Sequence, residues 1–202
     1  MIKKTVIITA LLIFSATGAW ADSDWELKKN EDGIKVYVKH IDDSAFKAYK
    51  GVTTIKNKSI TDVLKIIFDI KNYDKLFPDV SGQKVLKQFD QYHNIHYVVV
   101  HTPWPVSDRD DVTEINARLS EDGKSAHIDI VSRPDFIPQE KDLVRVYGKG
   151  FWELKETPEG DVIVTYQYHG NPGGSVPAWL SNSFVVSHPF GTLENMHKRL
   201  DK

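Results

Sequence analysis

The chain has 202 residues, a net charge of −2 from 26 basic and 28 acidic side chains, and no cysteine. The lack of cysteine excludes disulfides, thiol chemistry and thiolate metal sites. A mildly acidic chain without a Lys/Arg run carries no electrostatic footprint for nucleic acid, nor one for tight binding to an anionic membrane surface.

Met1-Ile2-Lys3-Lys4 is a short positive start, Val6 to Phe14 runs without a charge, and Ala19-Trp20-Ala21 places small residues where a signal peptidase reads. That order predicts a secretory signal over residues 1–21, cleaved after Ala21, and a periplasmic or secreted location. The apolar run falls short of the roughly 20 residues that a membrane span needs. The mature part, residues 22–202, is long enough for one domain with its own core and shows no internal linker or repeat.

Trp25 and Leu27 open an amphipathic start, and Asp32-Gly33 marks a turn. Ile34, Val36 and Val38 alternate with Lys35, Tyr37 and Lys39, a period-two strand, and Phe46 to Ile55 reads as its antiparallel partner. Ser59-Ile60-Thr61-Asp62 is a capping box at the head of a helix whose Ile60, Val63, Leu64, Ile67 and Phe68 share one face. A short second helix through Tyr73 and Leu76 stops at Phe77-Pro78. Strands are then predicted over 83–89, 95–102, 110–119, 126–132, 143–154 and 162–168, with hairpin turns at Asp122-Gly123 and Glu159-Gly160. Asn171-Pro-Gly-Gly-Ser175 ends the last strand, and Pro177 suits the first position of a helix reaching Leu200. Val186, Phe190, Leu193 and Leu200 form its apolar stripe, and Pro189 and Gly191 predict a kink or two segments. The fold class is α+β: a curved antiparallel sheet gripping one long C-terminal helix, an arrangement that leaves room for an internal cavity.

Val98, Val99 and Val100 make both faces of one strand apolar, as cavity wall or as ordinary core. Burying about 400 Å² of a ligand there at ~25 cal/mol per Å² gives roughly 10 kcal/mol before association costs. His96 reads as a polar group facing that cavity or as a satisfied core histidine. Arg109, between Asp108 and Asp110, either holds a head group or pins the turn after Pro103-Trp104-Pro105. Trp179 is a membrane-interface side chain or a core anchor. His96 and His101 are an odd number of residues apart, so on one strand they face apart, and no acid joins them at metal-like spacing. No nucleophile elbow surrounds Ser175, Asp110 and Asp111 face apart, and Gly148-Lys149-Gly150 sits mid-strand, where glycine marks a bulge rather than a phosphate loop.

Four stretches resemble the START family, the lipid-transfer domains related to the steroidogenic acute regulatory protein. They are Asp32-Gly33-Ile34-Lys35-Val36-Tyr37, Phe77-Pro78, Pro103-Trp104-Pro105-Val106-Ser107-Asp108-Arg109-Asp110, and Pro172-Gly173-Gly174-Ser175-Val176-Pro177-Ala178-Trp179-Leu180. The resemblance covers the chain from about Trp25 to Leu200. It implies a helix-grip fold whose tunnel holds one sterol, phospholipid, sphingolipid or similar hydrophobe, with the C-terminal helix and a neighbouring loop as the lid. Several members meet the ligand's polar head with a buried acid and arginine; ungapped counting places His96 and Ile115 at those positions, so that pair does not carry over.

These readings together predict a monomeric lipid or sterol-like ligand carrier with transient membrane contact and neither cofactor nor metal. His96, Val98 and Val100 face the tunnel from the sheet, Arg109 is the head-group candidate, and Tyr166 and Tyr168 supply hydroxyls. Leu180, Phe184, Leu193 and Met196 form the lid side. Two alternatives stay open: an enzyme on the same scaffold using His96 or a tunnel tyrosine as acid/base, and an interaction module whose cavity is filled by its own side chains.

Overall fold

The computed structural model describes residues 24–201 apart from the side chains of residues 178, 179, 181 and 182; the predicted export signal and both readings of Trp179 lie outside them. In chain order come β1 (Glu26–Glu31), β2 (Ile34–Lys39) and β3 (Ala48–Ile55), then α1 (Ile60–Ile67) and a 3₁₀ turn, Ile70–Lys75. β4 (Val80–Asp90), β5 (His93–Val100), β6 (Arg109–Leu119), β7 (Ser125–Ser132), β8 (Val144–Arg145), β9 (Tyr147–Glu156) and β10 (Val162–Asn171) follow, and α2 (Ala178–Leu200) closes the chain. One sheet runs β1-β2-β3-β10-β9-β7-β6-β5-β4, with β8 parallel to β6. The predicted helix-grip architecture is borne out.

Local chemistry explains the elements. Asp32 and Gly33 both take positive φ, the backbone that a two-residue hairpin between β1 and β2 requires. Ile34, Val36 and Val38 are buried on one face of β2, while the residues between them stay outside the core. At α1, the Ser59 hydroxyl accepts from the Asp62 amide and the Asp62 carboxylate accepts from the Ser59 amide, each at 3.2 Å. The amphipathic start is an edge strand, β1, paired with β2 through a bulge near Leu27.

The sheet has two apolar faces. The inner one carries the main core with α1 and α2. On the outer face Ile95, Tyr97 and Val112 form a smaller cluster with Leu86, Val99 and Ile137. The segment 133–143 crosses that cluster and is pinned by Arg145, whose guanidinium donates to both Asp110 carboxylate oxygens at 2.8 Å. The same guanidinium donates to the carbonyls of Pro134, Ile137 and Pro138. This pairing corrects the single strand predicted over 143–154: Val144 and Arg145 leave to pair with Arg109 and Asp110, and β9 begins only at Tyr147.

Gly148 and Gly150 do not mark a bulge, because β9 pairs with β10 in unbroken register from Tyr147 to Glu156. Their role is clearance: a Cβ on Gly148 would lie 2.1 Å from the Tyr168 hydroxyl, and one on Gly150 would lie 2.2 Å from the Gln167 carbonyl and 2.9 Å from the Tyr168 ring. α2 begins at Ala178 with Pro177 as its cap, one residue later than predicted, and runs through Pro189 as one helix rather than two segments. The proline removes one backbone donor there. The Thr192 hydroxyl donates to the His188 carbonyl at 2.8 Å beside it.

Candidate functional site

A cavity of about 330 Å³ lies between the inner face of the sheet and the first half of α2. Strand alternation sets its floor. His96, Val98 and Val100 point inward from β5, and Arg109, Asp111, Thr113 and Ile115 from β6. Trp152 of β9 and Tyr166 of β10 stack at 4.0 Å with an 8° interplanar angle, and the Tyr49 hydroxyl of β3 donates to the Tyr166 hydroxyl at 2.9 Å. Leu180, Phe184 and His188, one turn apart on α2, form the roof.

Eight of the ten predicted residues therefore share this cavity: His96, Val98, Val100, Arg109, Tyr166, Tyr168, Leu180 and Phe184. Leu193 and Met196 do not line it. Both are fully buried, but they follow Pro189, where α2 has moved past the cavity and settled on β2 and β3. A Cβ on Gly51 of β3 would lie 2.8 Å from Leu193, which shows how close the helix comes there. This second half is also tied by hydrogen bonds: Asn195 donates to the Leu76 carbonyl at 3.2 Å, Arg199 pairs with Asp69, and His197 meets the Thr53 hydroxyl at 2.8 Å. Pro189 thus separates a roof half from an anchored half.

His96 is buried, with its Nδ1 2.9 Å from the Asn94 side-chain oxygen and its ring edge-on to Tyr73. Loss of solvent pulls its pKa down to about 3, so the ring is neutral at physiological pH. Arg109 donates to the Ser107 carbonyl and, at 3.4 Å, to the Thr102 hydroxyl, so it does pin the turn while its side chain still belongs to the cavity wall. Asp108 braces the same loop, accepting from the Thr102 amide at 2.9 Å and meeting His101 Nδ1 at 2.6 Å. His101 stands beyond the end of β5, so strand alternation does not govern it, and it lines the cavity as His96 does. Among the described residues no group of three metal-ligating side chains occurs.

Asp111, His188 and Tyr49 are among the cavity groups that escaped the sequence reading. Asp111 follows Arg109 by two positions on β6 and so shares its face, a relation that alternation alone reveals. Desolvation raises its carboxyl to about 6 against hydrogen bonds from Thr113 and Ser132 that favour the anion. His188 continues the Leu180–Phe184 spacing by four; its ring stacks between Phe184 at 4.6 Å and Phe77 at 5.8 Å, and burial lowers its pKa to about 4. Tyr49 completes the aromatic group, with its ring 5.4 Å from Tyr166 and 6.0 Å from Tyr168.

Comparison with known proteins agrees with this architecture. The chain is 36% identical to an uncharacterized protein of Pseudomonas aeruginosa, over all of this chain and 98% of the relative. It is 28% identical to the phosphatidylcholine transfer protein of Rattus norvegicus, over 81% of this chain and 78% of the relative. Among solved structures, a STAR-related lipid transfer protein fragment from Xanthomonas axonopodis superposes with a TM-score of 0.81 at 37% identity, covering 89% of this chain and 99% of that one. Human StAR-related lipid transfer protein 5 shares the fold at 15% identity, with a TM-score of 0.76 over 89% of this chain and 88% of that one. The START domain model matches residues 6–202, and the chain therefore belongs to the START family.

Proposed function

We propose that this START domain takes one lipid-like molecule into the cavity beneath α2 and carries or presents it outside the cytoplasm, the first half of α2 acting as the lid. Members of the family bind and transfer lipids. The observation that carries the reading is the division of α2 at Pro189, with every cavity-lining residue of the helix before it and the anchoring hydrogen bonds after it. Phosphatidylcholine, named in several relatives, is one ligand class to test.

The cavity, at about 330 Å³, lies at the small end of ligand pockets, which run from about 300 to 1,000 Å³. A one-chain amphiphile suits this volume, and a two-chain lipid requires the roof to lift. Pro189 provides a mechanical reason for the roof to move independently, since a proline inside a helix weakens it at that point. His96, being neutral far below physiological pH, is poorly matched to general acid/base work near neutrality, which favours the carrier over the enzyme.

The mouth offers a membrane contact. Trp104 is 91% exposed on the loop whose neighbours Thr102, Pro103 and Arg109 line the cavity. A bare indole beside the opening suits insertion at a bilayer interface. The apolar stretch Val6 to Phe14 and the Ala19-Trp20-Ala21 site support export to the periplasm, and a monomer is sufficient for this mechanism.

Native mass spectrometry of the mature protein isolated from the periplasm of producing cells, followed by organic extraction, tests the reading. A discrete adduct that extracts as one lipid class supports it. A protein that arrives empty and ignores labelled sterols, fatty acids and phospholipids refutes it.

A further inference from the structure

Most of the cavity wall is apolar, yet its polar groups include the Asp111 carboxylate and two atoms whose bonding capacity is unspent. Asp111 keeps some surface, and that surface belongs to the cavity wall. Among the described residues no lysine or arginine forms a salt bridge with it. Arg145 spends its guanidinium on Asp110 and three carbonyls at the other face, and Arg109 turns toward Ser107 and Thr102. What Asp111 receives is a long hydrogen bond from the Ser132 hydroxyl at 3.4 Å and the help of Thr113. Close by, the Tyr168 hydroxyl is wholly buried with the Ser132 hydroxyl as its neighbour but no hydrogen bond of good geometry, and His188 Nδ1 in the roof is buried without a partner. An unpaired polar atom in such a place costs about 1–3 kcal/mol, so its persistence calls for a partner.

Resting on the lipid-carrier reading, we propose that Asp111 is the counter-ion for a protonated primary amine on the ligand head, with the Tyr168 hydroxyl and His188 Nδ1 as its further hydrogen-bond acceptors. The match is one of inventory. An alkylammonium offers three N–H donors and one positive charge. The cavity offers a carboxylate, a phenol oxygen and a neutral imidazole. A quaternary ammonium supplies the charge but no donor and leaves Tyr168 and His188 unpaired. A carboxylate or phosphate head places like charge against Asp111. The rings of Tyr49, Tyr166 and Tyr168 surround this end and favour a cation electrostatically.

The groups facing Asp111 decide how pH acts. They are Arg109 and Thr113 on its own strand, His96 from β5, Ser132 from β7, Tyr49 from β3, Tyr166 and Tyr168 from β10 and His188 from α2, with Arg145 and Asp110 behind; Lys47, Asp79 and His101 line the same cavity. The tyrosine hydroxyls are pushed upward and His96 and His188 downward, so between pH 5 and 7 Asp111 is the group of this inner set that changes charge.

The experiment holds the chain constant and varies the head: calorimetric titration of the mature protein with dodecylamine, dodecyltrimethylammonium, dodecanol and dodecanoate below their micellar concentrations. At pH 7 dodecylamine binds about tenfold or more tighter than dodecanol, the factor expected of one charge-assisted hydrogen bond. Lowering the pH to 5 reduces that affinity roughly tenfold, as the carboxylate protonates. Asp111→Asn abolishes the preference for dodecylamine over dodecanol, and Tyr168→Phe, which keeps the ring, weakens dodecylamine. The proposal is overturned if the preference survives Asp111→Asn, if dodecyltrimethylammonium binds as tightly as dodecylamine, or if dodecanoate binds tightest. Equal binding of all four overturns the amine assignment and leaves the lipid cavity standing. Binding of none overturns both.

Discussion

Truncations on either side of Pro189 should have opposite signatures. Leu193 and Met196 are fully buried against the core, so Leu193→Ala or Met196→Ala costs about 2–5 kcal/mol of folding stability. In a domain of this length each kcal/mol lowers the thermal midpoint by roughly 2–4 °C, which puts the expected drop between about 4 and 20 °C. Leu180 and Phe184 are only half-buried and border existing empty space, so truncating them enlarges the cavity instead of opening a new one. Their cost should stay below about 1.5 kcal/mol, with the larger effect on uptake and release of a fluorescent lipid. Thermal and urea unfolding, run beside vesicle-to-vesicle transfer, separate the two signatures. If Phe184→Ala destabilises as much as Leu193→Ala, or if Leu193→Ala alters transfer at unchanged stability, the division of α2 at the proline is wrong.

Arg145→Ala should cost about 3–5 kcal/mol in urea unfolding because it strands a buried Asp110, whereas replacing both partners together with apolar residues should recover most of that loss. Acid lability has a definite sign. The unfolded chain protonates His96 and His188 near pH 6.5, but the native chain does so only near 3 and 4, so stability is present above 6.5 and falls as pH drops. Asp111 works the other way, being protonated in the native state near 6 before its unfolded counterpart, so it adds stability as pH falls from about 6 toward 4. In Asp111→Asn the loss over that interval should steepen by about 1.4 kcal/mol per pH unit, and identical slopes in the two proteins would contradict the assignment. Trp104→Ala should slow transfer between vesicles several-fold while leaving affinity for a soluble one-chain ligand unchanged; a matching loss of affinity would place Trp104 in binding rather than docking.

Much of the fold was legible because its signals are local. Alternation at Ile34, Val36 and Val38, the Ser59–Asp62 capping box and the glycine turns each depend on neighbours within a few residues. The floor of the cavity was legible for the same reason, since His96, Val98 and Val100 follow from the period of one strand. What escaped is long-range. The break before β9 is imposed by Arg145 reaching Asp110, 35 residues away. The glycines of β9 serve a tyrosine on β10, which no bulge rule anticipates. Helical periodicity gave the correct side for Leu193 and Met196, but not the point along α2 where the cavity ends and the core begins. Asp111 could have been read from Arg109 by the same alternation: Asp110 and Asp111 were seen to face apart, but the second was not carried to the face that Arg109 takes.

The trough under Tyr168 makes the size of this binding space a property of one side chain. Gly148, Gly150 and Gly170 have already stripped the neighbouring strands to bare backbone, and the phenol ring fills the clearing. Shortening residue 168 therefore exposes a ready-made extension of the chamber without moving a strand, whereas adding even a methyl group to Gly148 presses the ring toward the interior. Related chains that accept bulkier or slimmer cargo need no new architecture; an exchange at this position, on an unchanged sheet, is enough to retune capacity.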